Sequence, residues 1–466
     1  MIANLQPYPE YKDSGVPWLG NIPAQWDVRR MKLLLSEVDS RSSTGREQLL
    51  RVSQYTGVTQ RKAMDGTDAP DTRAASLVGY KRVNPDDLVI NIMLAWNGSM
   101  GVSRYEGIAS PAYCVYRFKG GARPWYYHEL LRLPLYKGRI KTASTGVVES
   151  RLRLYSDDLG RIEAIQPPPE EQDAIVRFID YANGRLERAI RAKRKVIALL
   201  HEQKQAIIHR AVTRGLSPAV PLKPSGIAWL GDIPKHWEVR RVKQAARILR
   251  GKFTHRPRND PSLYDGPYPF IQTGAVAQAA KFITGYKQTL NEKGLAVSKM
   301  FPSGTLVMTI AANIGDVAIL TFEACFPDSI VGFVPSAEVD RDYLYLVFLC
   351  MKPELLREAP VNTQGNLNVE RIGVMGMPFP SLKEQQRIVR QVESETGSFT
   401  KAIGRLEREI EFLREYRTRL VADVVTGRLD VRGVTLPAEF EPPAALAAET
   451  IEQSSSEPEE AENANG

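Results

Sequence analysis

The chain has 466 residues, 43% of them hydrophobic, with a mean hydropathy of −0.28 and a net charge of +8. That length suits about three average domains, and no apolar run reaches the ~18 residues a membrane span needs. The three cysteines, Cys114, Cys325 and Cys350, are odd in number and far apart, which fits a reducing cytoplasm and argues against a disulfide framework or a zinc site. The charge is unevenly spread. Residues 433–466 hold eight Glu and no Lys, Arg or Asp, so the rest of the chain carries +16. A body that basic points towards a polyanion. The first fifteen residues have no basic segment leading into an apolar one, so no signal peptide is expected.

In chain order, the first feature is a stretch that returns later. Residues 11–32 read YKDSGVPWLGNIPAQWDVRRMK and residues 222–243 read LKPSGIAWLGDIPKHWEVRRVK, identical at 13 of 22 positions. Shared residues include Trp18/Trp229, Trp26/Trp237 and the pairs Arg29-Arg30/Arg240-Arg241. Chance would give roughly one or two matches, so the chain is an internal duplication. The globular segment at 11–165 has strand-like runs at 83–93 and 110–118 and a helical stretch at 126–140. The segment at 222–378 has strand-like runs at 301–311 and 327–335 and a helix at 342–359.

A second duplicated signal closes each segment. Residues 165–177 read IQPPPEEQDAIVR and residues 378–390 read PFPSLKEQQRIVR, so Glu171-Gln172 matches Glu384-Gln385. Each runs into a helical region, 166–216 and 379–430, whose seam positions are spaced mostly alternately by four and three, most of them apolar. Ile175, Ile179, Leu186, Ile190, Ile197 and Leu200 form the first seam. Ile388, Val392, Phe399, Ile403, Ile410 and Leu413 form the second. This is the 3–4 pattern of a heptad seam, and Lys204 and Arg417 place a cation at the same seam position. The prolines upstream mark helix starts and a glycine follows each end. Unbroken, residues 170–213 would span ~66 Å. Ala182-Asn183-Gly184 is expected to interrupt or kink that helix. Because the chain must return across the second globular segment, the two helices are expected to pair antiparallel. The fold class is therefore α+β: two α/β segments in pseudo-symmetric tandem, separated by two long helices packed as an antiparallel coiled coil. Residues 431–466 read as an acidic, disordered tail.

Catalytic signatures are missing. There is no phosphate-cradling G-x-x-x-x-G-K-[ST] loop, no glycine-rich dinucleotide turn, no Asn/Asp-Pro-Pro-aromatic tetrapeptide and no metal-spaced His/Cys set. The five histidines have no mutual spacing that suggests a ligand set. A non-enzymatic chain that binds no cofactor is expected.

Two copies of W-L-G-x-I-P-x-x-W and two of P-x-x-x-E-Q before a heptad helix, enclosing dissimilar globular segments, resemble Type I specificity subunits, the S component of restriction-modification complexes. The stretch 83–115 and TQGNLN at 363–368 look familiar there too, and the resemblance covers about residues 11–430. It implies two target recognition domains, each reading one half of a split, asymmetric sequence of double-stranded DNA. It also implies that the helices act as a spacer and as the dock for two methyltransferase subunits, with motor-nuclease subunits joining that core. S-adenosylmethionine, ATP and magnesium would all be held by those partners, and the complex would be cytoplasmic with no membrane contact. The alternatives are a coiled-coil scaffold that reads no DNA, and the recognition piece of a single-chain enzyme.

Base readout needs Arg, Lys, Asn, Gln, Ser or Thr side chains aimed at base edges, and phosphate contacts need mostly Lys and Arg. In the first segment the candidates by type and loop position are Arg61, Lys62, Arg73, Lys81, Asn91, Trp96, Asn97, Ser99, Ser144, Thr145 and Arg151. In the second they are Lys252, His255, Arg256, Arg258, Gln272, Thr273, Lys299, Asn313, Gln364, Asn366 and Asn368. The seam residues above are the candidates for partner docking. Trp18, Trp26, Trp229 and Trp237 read as packing anchors, since they recur in both copies while the two segments should read different sequences.

Overall fold

Each copy of the duplicated motif folds as a hairpin followed by a strand. Tyr11–Asp13 pairs antiparallel with Asn21–Pro23, and Leu222–Pro224 with Asp232–Pro234. The next strand, Asp27–Arg30 or Glu238–Arg241, pairs antiparallel with the strand just before each long helix, Glu163–Gln166 or Gly376–Phe379. Each globular segment is thus closed by its last strand pairing with the strand that follows its opening hairpin, with Trp26 or Trp237 fully buried. In this computed structural model the described residues are 5–61, 74, 76–148, 151–358 and 367–437. They fall into two compact units, Met1–Lys193 with Arg408–Gly466, and Arg194–Glu407. This division cuts both long helices, where the sequence suggested separate helical regions.

The first unit is built on four antiparallel strands, β1 (Leu35–Glu37), β2 (Leu88–Asn91), β3 (Met100–Val102) and β4 (Tyr113–Phe118), in the order β1-β4-β2-β3. All four residues of β2 are buried, as expected of an apolar strand covered on both faces. Its side chains alternate, as the period of two requires. Leu88 and Ile90 join a core with Tyr126, Tyr127 and Leu130. Val89 joins Leu50, Val58 and Val83 on the other face. The helices over the first face are α1 (Pro124–Arg132) and α2 (Pro134–Ala143). The expected single helix splits because Leu133, which precedes a proline, is held extended at φ −64° and ψ 146°.

The second unit repeats the plan. Strands β5 (Ala246–Arg250), β6 (Phe282–Ile283), β7 (Leu306–Thr309), β8 (Val317–Leu320) and β9 (Ile330–Pro335) run in the order β5-β9-β7-β8-β6. Four of them reproduce the first unit's succession, and β6 adds a parallel edge. Leu306 and Met308 face a core that includes Tyr343, Leu344 and Phe348, while Val307 faces Ile271, Val276 and Ile283.

The long helices are α3 (Pro169–Arg214, 46 residues) and α5 (Leu382–Val425, 44 residues); the covering helix of the second unit is α4 (Arg341–Glu358). The expected interruption at Ala182-Asn183-Gly184 is not there: α3 is continuous. Ala182 is buried in the core, and the Asn183 side chain accepts a hydrogen bond from Arg417 Nε at 3.0 Å. Tertiary contacts therefore outweigh the ~1 kcal/mol helix penalty of Gly184.

The pairing is antiparallel within each unit. In the first, Lys193 meets Glu409 at 2.6 Å and Arg417 meets Glu187 at 3.1 Å. In the second, Lys204 donates to Thr400 at 3.1 Å and Arg210 faces Glu395 at 3.8 Å. Partly exposed ion pairs of this kind contribute about 0–1 kcal/mol each, so apolar burial carries the pairing. Ile175, Ile179, Leu186, Ile190, Ile388, Val392, Ile403 and Ile410 are buried. Ile197, Leu200, Phe399 and Leu413 are half-buried. The expected docking set therefore lies on the inward seam. The other helix faces leave Val196, Leu199, Phe412 and Tyr416 exposed.

Gly215 and Gly427 end the helices at φ +71° and +77°. Gly215 lies against Trp237, and a Cβ on Gly427 would fall 2.6 Å from the Pro23 ring and 2.8 Å from Trp26. The chain end is stitched into the first unit as well. Gln6 bridges to Asp430, the Tyr11 hydroxyl donates to the Gly427 carbonyl at 3.1 Å, and the Tyr8 hydroxyl donates to Glu171.

Candidate nucleic-acid interface

The P-x-x-x-E-Q signature proves to be a joint. Gln172 and Gln385 are completely buried at the starts of α3 and α5. Gln172 Oε1 accepts from the Arg123 N–H at 2.8 Å, and its Nε2 donates to the carbonyls of Pro167 at 2.7 Å and Gly121 at 3.3 Å. Gln385 accepts from the Asp340 N–H at 2.8 Å and donates to Pro380 at 2.9 Å and Glu338 at 3.0 Å. In both units one amide ties the long helix to the loop that starts the covering helix. Burying an amide is tolerable because its groups are satisfied. These glutamines hold each long helix to its globular segment and face no solvent.

In the first unit the structure brings most of the candidates together. The loop after β2 carries Asn91, Trp96, Asn97 and Ser99. Asn91 is buried, and its Oδ1 accepts from the Met93 N–H at 3.1 Å. Asn97 Oδ1 accepts from both the N–H and hydroxyl of Ser99, at 3.1 and 2.9 Å. Asn91 and Ser99 therefore shape the loop, while Trp96 and Asn97 are half-exposed. The second strip of the surface follows α2. The Leu154 N–H donates to the Ile92 carbonyl at 3.0 Å, and Thr145 bridges to Arg153. Exposed Thr145 and Arg151, and the helix-capping Ser144, thus border the loop. Two cations that sequence reading missed join them. Lys141 Nζ lies 5.4 Å from the Trp96 ring, and Lys137 would touch a Cβ on Gly98. The missing signal was spatial, since a charged helix face is usually only solvated.

Other first-unit candidates lie elsewhere. Lys81 is expected in a loop but sits in the strand Lys81–Val83, nearly buried and facing Glu37 at 3.9 Å and Asp39 at 3.8 Å. Arg61 follows the hairpin Leu50–Ser53/Gly57–Gln60, its N–H bonded to the Leu49 carbonyl at 2.9 Å. Burial, and then the charge of Arg61, lower the pKa of Arg51 on that hairpin. Lys62 and Arg73 lie outside the described residues.

In the second unit the candidates fall in three groups. Lys252, His255, Arg256 and Arg258 line a loop braced by acids. His255 Nε2 lies 3.0 Å from Asp260, Arg256 lies 3.6 Å from Asp328, and Arg258 also pairs with Asp328. The Ser298 hydroxyl donates to the Lys252 carbonyl at 2.8 Å, which brings exposed Lys299 beside this loop. Gln272 and Thr273 open the short helix Thr273–Gln278, and the Gln272 amide donates to Gln288. Gln272 and Gln288 edge an open cavity of about 880 Å³ that also contains Phe282 and Tyr286. Asn313 and Asn368 form the third group, since the Leu367 N–H donates to the Ile310 carbonyl at 2.8 Å. Asn368 caps the helix Val369–Val374 through the Glu370 N–H at 2.8 Å. That bond gives Asn368 a structural role in the helix start. Gln364 and Asn366 lie outside the described residues.

The motif tryptophans pack into the protein. Trp26 and Trp237 are fully buried, and Trp18 meets Tyr136 edge-on at 5.1 Å. No group of three His, Cys, Asp or Glu among the described residues is placed to hold a metal ion. No helix there is long and apolar enough to cross a membrane.

Comparison with known proteins adds a family. Residues 234–411 match the Type I restriction modification DNA specificity domain. Along 93% of its length the chain is 21% identical to the whole of a protein named as type I restriction enzyme MjaX specificity subunit, from Methanocaldococcus jannaschii. The MjaVIII specificity subunit of the same organism is 21% identical over 76% of this chain and 83% of its own length. Among solved structures, a chain described under complex assembly and conformational transition of the type I R-M system shares the fold. It has a TM-score of 0.59 and 15% identity, over 87% of this chain and 98% of that one.

Proposed function

We propose that this chain, which belongs to the family of type I restriction-modification DNA specificity subunits, reads a split, asymmetric DNA sequence and catalyses nothing itself. One observation carries the reading. The two units share strand order, closing strands and glutamine joint, yet present different side chains from their loops: Trp96, Asn97 and Thr145 in one, Lys252, Gln272 and Asn313 in the other. A common framework with unlike readers suits two unlike half-sites.

Methyl transfer and cleavage then belong to partner subunits in the cytoplasm, which hold S-adenosylmethionine, ATP and magnesium. Two methyltransferase chains dock on the outward faces of the long helices. Leu199 and Phe412 are both exposed and stand at matching places of the duplicated helical sequences, 213 residues apart, so each repeat offers one apolar foothold to one copy of the same partner. The scaffold reading gains no support from the basic loops.

Binding of the assembled chain to duplexes at two salt concentrations tests the reading. Affinity for a duplex carrying the methylated motif should fall steeply with salt, because phosphate contacts release counterions. It should also exceed that for scrambled duplex at both concentrations. Equal binding to both duplexes would reject sequence reading.

A further inference from the structure

We infer that Arg132 is a positioning residue for readout by the first unit, acting as a clamp that locks the loop carrying Trp96 and Asn97 to a neighbouring hairpin. The inference rests on the DNA-reading function proposed above.

Arg132 is the last residue of α1, where a cation also suits the helix dipole. Its guanidinium donates to five backbone carbonyls on two separate segments. Nη1 reaches Met100 at 2.7 Å, Gly98 at 3.3 Å and Ser53 at 3.4 Å. Nη2 reaches Tyr55 at 2.7 Å and Gln54 at 3.1 Å. One set belongs to the tip of the hairpin Leu50–Ser53/Gly57–Gln60. The other ends the loop that carries Trp96 and Asn97. A planar fork with five N–H groups can span both, and an ammonium with three donors at one point cannot.

The neighbouring turn of α1 completes the seat. His128, four residues earlier and so on the same helix face, accepts the Val102 N–H on Nδ1 at 3.1 Å. Its ring lies about 3 Å from where a Cβ would stand on Gly57 or Gly101. Both segments therefore approach α1 as closely as glycine allows. The hairpin tip carries Tyr55, 56% exposed, and the adjoining loop carries half-exposed Trp96 and Asn97. The corresponding helix of the second unit, α4, runs through Val347, Phe348 and Leu349 with no arginine between Asp342 and Leu356. The clamp is a device of one reader only.

The test is methylation by the reconstituted complex carrying Arg132→Met, which keeps the stem and removes every donor. Substrates carry single-base changes scanned through both halves of the recognised motif. Discrimination should fall on the order of tenfold at positions of one half-site, the range that one displaced base contact covers. It should be unchanged at the other half. Arg132→Lys should lie between the two, since it retains the charge but not the span. If Arg132→Met does not assemble, the lysine variant carries the test. A uniform loss of rate with discrimination intact in both halves would reduce Arg132 to a folding residue. Full discrimination in an assembled Arg132→Met or, failing that, Arg132→Lys complex would also overturn the clamp. A wild-type complex with no split motif would instead refute the underlying function.

Discussion

Changing Gln172 to Glu reverses the polarity of one buried contact at almost constant shape. The wild-type amide accepts one N–H and donates to the Pro167 and Gly121 carbonyls in a site with no exposure. An ionised carboxylate keeps the first contact and turns an oxygen towards two carbonyl oxygens. Losing a donor in a dry site costs about 1–3 kcal/mol. Burial also raises the new carboxyl's pKa, and each unit of that rise above an unfolded value of ~4.3 costs about 1.4 kcal/mol at alkaline pH. A rise to roughly 7 gives a total penalty of about 5 kcal/mol at pH 8. At pH 5 the acid form can donate one hydrogen bond, and the penalty falls to about 2 kcal/mol. The sign follows from a folded pKa raised above the unfolded one. Stability is greatest below the unfolded pKa and is lost as pH rises towards the folded one. Hydrogen exchange over residues 120–130, relative to wild type at both pH values, isolates the first unit from the second. Gln385→Glu should do the same to the second unit through Asp340, Pro380 and Glu338. A penalty below 1 kcal/mol, or one equal at both pH values, would refute the joint.

Three further outcomes are expected. In thermal melts Gly427→Ala should destabilise the first unit by about 3 kcal/mol, and Gly226→Ala the second unit by about 1 kcal/mol. Both have φ above +70°, but only Gly427 would push a Cβ into Pro23 and Trp26; equal melting shifts would contradict this. Burial, followed by the charges of Arg132 and Arg104, pushes His128 down to about 3 from 6.5. Its stabilising effect is complete above pH 6.5 and is lost as pH falls towards 3, amounting to about 2 kcal/mol by pH 5. His128→Gln should therefore show a flatter acid branch in unfolding curves, and an unchanged one would reject the neutral acceptor role. Leu199→Glu and Phe412→Glu should each remove one of two methyltransferase copies, read by mass of the assembled complex; retention of both copies would place docking elsewhere.

The duplication, the strand-like runs and the heptad seam were legible because burial imposes period and composition on local sequence. Ile175, Ile179, Ile388 and Val392 could hardly signal anything but a seam. What that seam faces is not a local property. The same residues suit a partner or a second helix of the same chain, and they proved to be inward-facing. Gly184 looked like a break because helix propensity is read residue by residue, whereas Asn183 and Arg417 meet only after folding. Lys81 looked like a loop cation because nothing near it in sequence reveals Glu37 and Asp39. Arg132 was invisible as a clamp because its partners are five carbonyls, which every sequence has. Among the candidate readers, residue type and loop position located Trp96, Asn97 and Thr145 on one surface. They could not separate these from Asn91 and Ser99, which serve the loop itself.

The central claim is that this chain selects a split DNA motif for its partners. Long-read methylation sequencing of DNA from a host carrying this gene and its neighbouring methyltransferase gene tests it most directly. Methyladenine should appear at one split, asymmetric motif and vanish when this gene is deleted. Methylation unchanged by the deletion, with the methyltransferase demonstrably active, would contradict it.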